Sequence, residues 1–195
     1  MRGIEQIPWL YDLLMALAPG IERWRCALVA EADGRVLEVG CGTGRGLPDY
    51  AEGVELFALD LNFSSLYRAQ RRRHEARLVC ASVEAVPFAD DSFDFVVSSL
   101  VFCSVPDADR GLSEIKRVLR PGGKLLMLEH VQARSRFWAR VLDRIQPAWT
   151  TVTGGCHPNR DTVGTVERAG FVIDSDSFRE RGLMRRFVAR PQAGS

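Results

Sequence analysis

A strand that runs directly into a glycine-rich loop is the feature that most restricts how this chain can fold. Residues 35–39 (RVLEV) have the apolar, β-branched composition of a buried strand, and residues 40–44 (GCGTG) follow at once. Glycine adopts positive φ angles readily and lets a ligand come close to the main chain. A loop of this kind at the carboxyl end of a strand indicates a ligand-binding α/β domain.

Strand and helix patterns alternate along the chain. The predicted strands are residues 35–39, 54–59, 77–80, 93–98, 124–128, 171–173 and 187–189. The predicted helices are residues 4–18, 21–28, 64–73, 112–119, 135–146 and 162–169. Alternation predicts a parallel sheet covered on both faces. The last two strands are too close for a crossover of about a dozen residues, so we expect a hairpin. The predicted fold is a doubly wound α/β domain with a mostly parallel seven-stranded sheet and an antiparallel C-terminal hairpin.

Chain length and net charge limit the number of domains and the kinds of function that we expect. The chain has 195 residues, with 26 Lys and Arg against 25 Asp and Glu, and a formal net charge of +1. This balance argues against a dedicated nucleic-acid binder, which usually has a strongly basic face. The length fits a single domain over residues 1–195. We expect a helical cover at 1–33, a ligand-binding core at 34–130, and substrate-side helices and the hairpin at 131–195.

Cysteine usage and hydropathy predict the compartment. The five cysteines form an odd set with no two closer than 15 residues, so neither a disulfide framework nor a zinc ribbon is expected. The sequence also lacks an apolar run of 18 residues and the compact apolar core of a signal peptide. These features predict a reduced, cytoplasmic protein. The pattern leaves oligomeric state undetermined.

The glycine loop is not one of the common phosphate-binding motifs. The spacing of G-x-G-x-x-G fails because Arg45 and Leu47 occupy the sixth positions counted from Gly40 and Gly42. The Gly-Lys-Ser/Thr of a P-loop is also missing from the sequence. Asp60 ends the second predicted strand, 20 residues after Gly40. A carboxylate there can accept two hydrogen bonds from a ribose diol.

In combination, three segments resemble the class I S-adenosylmethionine-dependent methyltransferases. They are residues 36–44 (VLEVGCGTG), 86–94 (VPFADDSFD) and 117–123 (RVLRPGG). The resemblance covers about residues 33–130. The tail, with residues 129–131 (EHV), 146–149 (QPAW) and 154–162 (GGCHPNRDT), is similar to the phosphatidylethanolamine N-methyltransferase-like and thiol methyltransferase-like subgroup. Quinone-biosynthesis C-methyltransferases resemble it less in this tail.

The resemblance implies a cofactor site for S-adenosylmethionine, with S-adenosylhomocysteine as product. The loop Gly40, Cys41, Gly42, Thr43 and Gly44 would wrap the methionyl part, and Glu38 would orient its amino group. Asp60 would hold the ribose, and Leu61 would pack beside the adenine. The remaining contacts implied are Ser82 and Val83 at the adenine edge, Ser98, Ser99 and Leu100 near the methyl group, and Tyr11 from the N-terminal helix. Relatives often have Asp where Ser82 stands, so this acceptor lacks charge assistance.

The substrate side is less constrained by sequence. His130 follows the fifth strand and is the candidate base or substrate contact, because imidazole titrates near neutral pH; a purely structural histidine is the alternative. The residues expected to shape the substrate side are Cys103, Trp149, His157, Asn159 and Arg160. Arg160 would pair with an anionic substrate group, or with Asp161 or Glu167. No metal is expected, since adjacent Cys156 and His157 have poor ligand spacing.

These observations predict a methyltransferase that acts on a small molecule or lipid headgroup, with an amine or thiol nucleophile favoured. A non-catalytic module that binds the same cofactor is the alternative, and a nicotinamide-dependent oxidoreductase is a weaker one. Nucleic acid is not an expected partner. Peripheral membrane contact is left open, because only Arg2, Arg23 and Arg25 lie near the apolar N-terminal helix. Fold alone does not fix the methyl acceptor.

Overall fold

The structure is a computed structural model. It describes residues 19–130 and 159–192, together with residues 7, 9, 12, 13, 144–147, 150 and 155–157. The expected contacts of Tyr11 and Trp149 fall outside these residues, as does most of the predicted helix at 4–18.

The described residues form helices and strands in the predicted alternation. The helices are α1 (Pro19–Val29), α2 (Phe63–Gln70), α3 (Ala108–Val118) and α4 (Thr162–Arg168). The strands are β1 (Arg35–Val39), β2 (Glu55–Asp60), β3 (Arg77–Cys80), β4 (Phe93–Ser99), β5 (Leu119–His130), β6 (Phe171–Ile173), β7 (Arg179–Arg181) and β8 (Met184–Pro191). Residues 9, 12, 13, 144–147 and 150 are also helical. Among the described helices, none has the length and apolar character needed to cross a bilayer.

One sheet contains all of these strands, in the order β3-β2-β1-β4-β5-β8-β6. The first five are mutually parallel, and β8 pairs antiparallel with both β5 and β6. This confirms the doubly wound, mostly parallel sheet and its antiparallel C-terminal end. The expected number of strands was too low by one, because β7 pairs with β8 outside the main order. All three residues of β7 are exposed and polar, so the sequence offers no apolar alternation there.

Local sequence sets where the elements begin and end. Asp107 caps α3 by accepting a hydrogen bond from the Arg110 amide at 3.0 Å. The helix ends at Val118, because Leu119 is already extended. The Pro-Gly-Gly stretch at residues 121–123 lies inside β5, and the pairing of β4 with β5 shifts register there.

The sheet separates two apolar cores. Leu37 and Val39 of β1 face the larger core, which contains the buried face of α3, whereas Val36 faces the other, which contains Leu28 of α1 and Leu66 of α2. This alternation is the two-residue period of a strand covered on both faces. Because β1, β2, β4 and β5 are parallel, their carboxyl ends lie at one edge of the sheet. That edge gathers the glycine loop and most of the predicted site residues.

Candidate functional site

The three glycines of the loop differ in what surrounds them. All have positive φ: +62° at Gly40, +54° at Gly42 and +76° at Gly44. A Cβ at Gly40 would lie 2.5 Å from Cγ2 of Val101, and one at Gly44 would lie 2.7 Å from Cα of Ala69. A Cβ at Gly42 would have no described atom within 4 Å. Gly40 and Gly44 therefore pack the loop against its neighbours, whereas Gly42 exposes main chain to open space.

The Asp60 carboxylate is fixed beside this open part of the loop. Its Oδ2 accepts a hydrogen bond from the Gly42 amide at 2.8 Å, and its Oδ1 accepts one from the Asn62 amide at 2.8 Å. Burial raises the pKa of Asp60, while these two N–H groups lower it. Each carboxylate oxygen keeps further lone pairs, so the oriented group can still accept from a ligand diol. The structure thus brings together the predicted loop and the predicted acid.

Glu38 supplies a second acceptor below the loop. Its side chain is buried, and its Oε2 has no hydrogen-bond partner among the described residues. Burial raises the pKa of Glu38 to about 7, and the nearby Tyr50 hydroxyl and Arg25 charge act in the opposite direction. A buried acceptor without a donor is costly to the fold. A ligand ammonium would satisfy this oxygen, as expected for the cofactor amino group.

An interaction that the sequence did not predict ties the N-terminal segment to the loop. Asp12 accepts a hydrogen bond from the Thr43 hydroxyl at 2.6 Å. The same carboxylate forms ion pairs with Arg68 of α2 at 3.3 Å and with Arg72, just beyond the end of that helix, at 2.9 Å. Arg68 and Arg72 therefore share a carboxylate partner. This brings Asp12 onto the loop.

The residues expected to contact the adenine lie at the carboxyl edge of the sheet but differ in how far they are exposed. Leu61 follows β2 and is 69% exposed, which leaves an apolar surface beside Asp60. The Ser82 hydroxyl accepts from the Glu84 amide at 3.1 Å and lies 3.4 Å from the Glu84 carboxylate. Ser82 is therefore engaged within its own turn, with one lone pair left for a ligand. Val83 is buried in the larger core, so its side chain packs against the protein interior.

Ser98, at the end of β4, was expected to line the cofactor site near the methyl group, but the structure places it in the interior. Its side chain is completely buried, and it donates to Oε1 of Glu129 at 3.1 Å. Ser99 is partly buried and accepts from Nε of Arg25 at 3.4 Å. Leu100 has a φ of +61°, an uncommon conformation for a branched residue. This turn directs the chain away from the sheet and toward the substrate side.

Glu129 holds that turn, a role that the sequence analysis did not assign. Besides Ser98, its Oε1 accepts from the amides of Val101 at 2.9 Å and Phe102 at 3.0 Å. Its Oε2 has no hydrogen-bond partner among the described residues. Burial raises the pKa of Glu129, and the three hydrogen bonds lower it. An acidic residue at the end of a buried strand was the only sequence signal for it.

The expected substrate-side residues are brought to the same turn. The His157 amide donates to the Cys103 carbonyl at 2.8 Å. Nη1 of Arg160 donates to the carbonyls of Phe102 at 2.7 Å and Val105 at 2.6 Å. Arg160 thus fastens the turn instead of pairing with Asp161 or Glu167. Asn159 lies farther out, 3.5 Å from the side-chain amide of Gln146.

A group of possible metal ligands also forms here, although none was expected. Cys103, His130 and Cys156 place their sulfur and ring nitrogen atoms within 4.8 Å of one another. Cys103 and Cys156 are buried, and His130 is partly buried. Hydrogen bonding with Cys156, and then burial, raise the pKa of the Cys103 thiol well above its ordinary value. The sequence analysis paired Cys156 with its neighbour His157, whereas the fold brings His130 to it from the end of β5.

Comparison with known proteins agrees with this arrangement. Residues 37–127, which include the glycine loop and Asp60, match a family model described as a methyltransferase domain. The chain is 38% identical to the human thiol S-methyltransferase TMT1A over 147 residues, which are 70% of this chain and 59% of that protein. Residues 37–127 therefore resemble a methyltransferase domain, and the sheet has the fold of Rossmann-like class I methyltransferases. The chain spans about three fifths of the length of the curated relatives it matches first.

Other similarities of the chain are broader. It is 40% identical over 113 residues to the demethylmenaquinone methyltransferase of Renibacterium salmoninarum, covering 55% of this chain and 47% of that one. The crystal structure of the YcgJ protein of Bacillus subtilis superposes with a TM-score of 0.68 and 15% identity, over 87% of this chain and 99% of that one. The structural likeness supports the fold and says nothing of the methyl acceptor.

Proposed function

We propose that this chain is an S-adenosylmethionine-dependent methyltransferase that methylates a small molecule with a thiol nucleophile. One observation carries the proposal: the Asp60 carboxylate is fixed by the Gly42 amide beside the open face of the loop. This arrangement fits a ribose diol and an adjacent methionyl chain. The similarity to a thiol S-methyltransferase supports a thiol acceptor over an amine.

The proposed roles follow from the contacts. Asp60 would accept from the ribose hydroxyls, Leu61 would cover one adenine face, and the free Oε2 of Glu38 would accept from the ammonium. The Gly42 main chain would lie against the methionyl part. S-adenosylmethionine supplies a methyl group already activated by a sulfonium. The protein therefore contributes mainly by holding the nucleophile in line with the methyl carbon, which lowers the barrier by several kcal/mol.

The acceptor would enter from the β4–β5 side of the edge. Cys103 lies there on a turn held by Glu129 and Arg160, and His130 lies near it at the end of β5. We propose that this turn forms the wall of the acceptor site. His157 and Asn159 would form the outer part of that wall. This part would determine which acceptor binds.

Methyl transfer itself tests the proposal. Purified full chain is incubated with S-adenosylmethionine and matched panels of small thiols and small amines, and methylated products are identified by mass spectrometry. A thioether product that depends on enzyme and is lost in Asp60→Ala supports the proposal. Methylated amines without thioethers would contradict the thiol assignment. Binding of S-adenosylmethionine without any methylated product would favour the non-catalytic module.

We also propose a cytoplasmic location, supported by the free state of all five cysteines. Fractionation of cells that express the full chain tests it. Recovery with the cytosolic fraction is expected, and recovery with the membrane fraction after a low-salt wash would contradict it and favour peripheral attachment.

A further inference from the structure

Three segments that are distant in sequence bring two thiols and an imidazole to one point. Cys103 lies on the turn after β4, His130 is the last residue of β5, and Cys156 lies in the loop that precedes α4. Their ligand atoms all lie within 4.8 Å of one another. In a tetrahedral zinc site with Zn–S distances of about 2.3 Å, neighbouring ligand atoms are about 3.8 Å apart. A shift of about 1 Å or less would therefore bring the three ligand atoms to the spacing found in a zinc site.

Hydrogen bonds to main-chain carbonyls fix the segments that carry these ligands. The His157 amide, one residue after Cys156, donates to the Cys103 carbonyl at 2.8 Å. The Cys156 carbonyl accepts from the Thr150 hydroxyl at 3.1 Å. Arg160 fastens the carbonyls on either side of Cys103, those of Phe102 and Val105. A frame fixed in this way lowers the ordering cost of binding an ion.

A buried carboxylate, Glu129, lies beside the cluster. Glu129 precedes His130 and accepts from the Phe102 amide, one residue before Cys103. It is completely buried, and its Oε2 has no hydrogen-bond partner in the part of the chain that the structure describes. A buried carboxylate with a free oxygen is an energetic cost that a nearby cation reduces.

We infer that Cys103, His130 and Cys156 form a binding site for a Zn²⁺-class cation with one open coordination position. Thiolate and imidazole are the ligands that zinc prefers, and three protein ligands with a fourth position free are typical of catalytic zinc. The site lies at the edge shared with the glycine loop, since Val101 on the same turn packs against Gly40. We propose that the open position faces the acceptor.

The role of this cation rests on the proposed thiol methyltransferase function. The acceptor thiol would bind the open position and lose its proton to solvent, because coordination deprotonates a thiol at neutral pH. A sulfur lone pair of the bound thiolate then forms the new S–C bond to the methyl carbon. The bond from that carbon to the sulfonium sulfur breaks, and its electron pair stays on the departing sulfur. The products are a neutral thioether, which is a weaker ligand than thiolate, and S-adenosylhomocysteine.

The binding test uses purified full chain stripped with a chelator under reducing conditions. Zn²⁺ is titrated in competition with a chromophoric chelator, and Co²⁺ is added separately to record thiolate-to-metal charge-transfer absorption. One equivalent of Zn²⁺ is expected, with affinity lower by at least about 100-fold in Cys103→Ser and Cys156→Ser. Cys26→Ser, which changes an exposed cysteine on α1, is the matched control. His130→Gln keeps both thiols and is expected to retain the cobalt charge-transfer band while binding more weakly.

Several results would overturn the inference. The first is folded wild-type chain that binds S-adenosylmethionine but not Zn²⁺, and the second is unchanged Zn²⁺ affinity in both cysteine variants. A Cys103–Cys156 disulfide that forms in place of metal binding would indicate a redox pair. The role in catalysis is tested separately: thiol methylation that survives full zinc removal refutes activation by the ion. Failure of S-adenosylmethionine to bind would refute the proposed function while leaving the Zn²⁺ titration interpretable.

Discussion

Alanine substitutions in the glycine loop separate packing from ligand approach. In Gly40→Ala the new methyl group meets Val101, and the residue must also keep a φ of +62°. The left-handed conformation costs roughly 1–2 kcal/mol and the overpacking roughly 1–3 kcal/mol. We expect the free energy of unfolding to fall by roughly 2–5 kcal/mol, which lowers Tm by roughly 5–15 °C at this chain length.

Gly42→Ala is expected to behave differently, because the new methyl group enters open space. Only the conformational cost of roughly 1–2 kcal/mol applies, so Tm should fall by roughly 2–6 °C. Gly53→Ala is the matched control, since Gly53 has a φ of +87° and is likewise open but lies in a turn away from the site. The two variants should lose similar stability, and only Gly42→Ala should lose affinity for S-adenosylmethionine.

Thermal and urea denaturation measure stability, and calorimetric titration measures affinity. Val101→Ala in the Gly40→Ala background should recover the overpacking part of the loss but not the conformational part. The reasoning is refuted if Gly42→Ala destabilises the chain as much as Gly40→Ala does. It is also refuted if Gly42→Ala binds S-adenosylmethionine as well as Gly53→Ala does.

Two further predictions concern Glu38 and Arg160. Burial raises the pKa of Glu38 to about 7, above about 4.5 in the unfolded chain, so the native state binds more protons and the free energy of unfolding falls by roughly 3 kcal/mol as pH rises from 4.5 to 7. Urea denaturation at several pH values in this range should show that the free energy of unfolding depends less on pH in Glu38→Gln than in wild type. Calorimetric titrations at pH 6, 7 and 8 should show that affinity for S-adenosylmethionine rises with pH in wild type only. Arg160→Ala should lower the free energy of unfolding by about 2 kcal/mol, through its lost bonds to Phe102 and Val105. Unchanged stability with a raised KM for the acceptor would instead make Arg160 a substrate contact.

Local patterns predicted much of the fold. The apolar run before the glycines placed β1, and the alternation of strands with helices predicted the parallel sheet and its order of layers. The start of β5 was predicted at Lys124 instead of Leu119, because the Pro-Gly-Gly stretch is a strong breaker in sequence, whereas extended pairing with β4 already begins at Leu119. The short strand β7 was missed because its residues are exposed, and exposure on both faces leaves no hydrophobic period.

The site was predictable only where its residues adjoin a strand end. Asp60 and the glycine loop come together because neighbouring parallel strands end at one edge. Contacts between distant segments have no such local signal. The attachment of Asp12 to Thr43, and the meeting of Cys103 with His130 and Cys156, depend on how loops fold over the edge. Arguments from spacing therefore considered Cys156 only with its sequence neighbour His157. They missed Cys103 and His130, which lie close to it in the fold.

The most direct test of the account is titration of the purified full chain with S-adenosylmethionine, S-adenosylhomocysteine and NADH, in wild type and Asp60→Ala. We expect the first two to bind and NADH not to bind. Asp60→Ala should weaken binding roughly 100-fold, from two charge-assisted hydrogen bonds at about 1.5 kcal/mol each. Asp109→Ala, an exposed acidic residue in the first turn of α3, should bind like wild type. Binding of NADH alone, or equal affinity in wild type and Asp60→Ala, would contradict the central claim that this edge of the sheet holds the methyl donor.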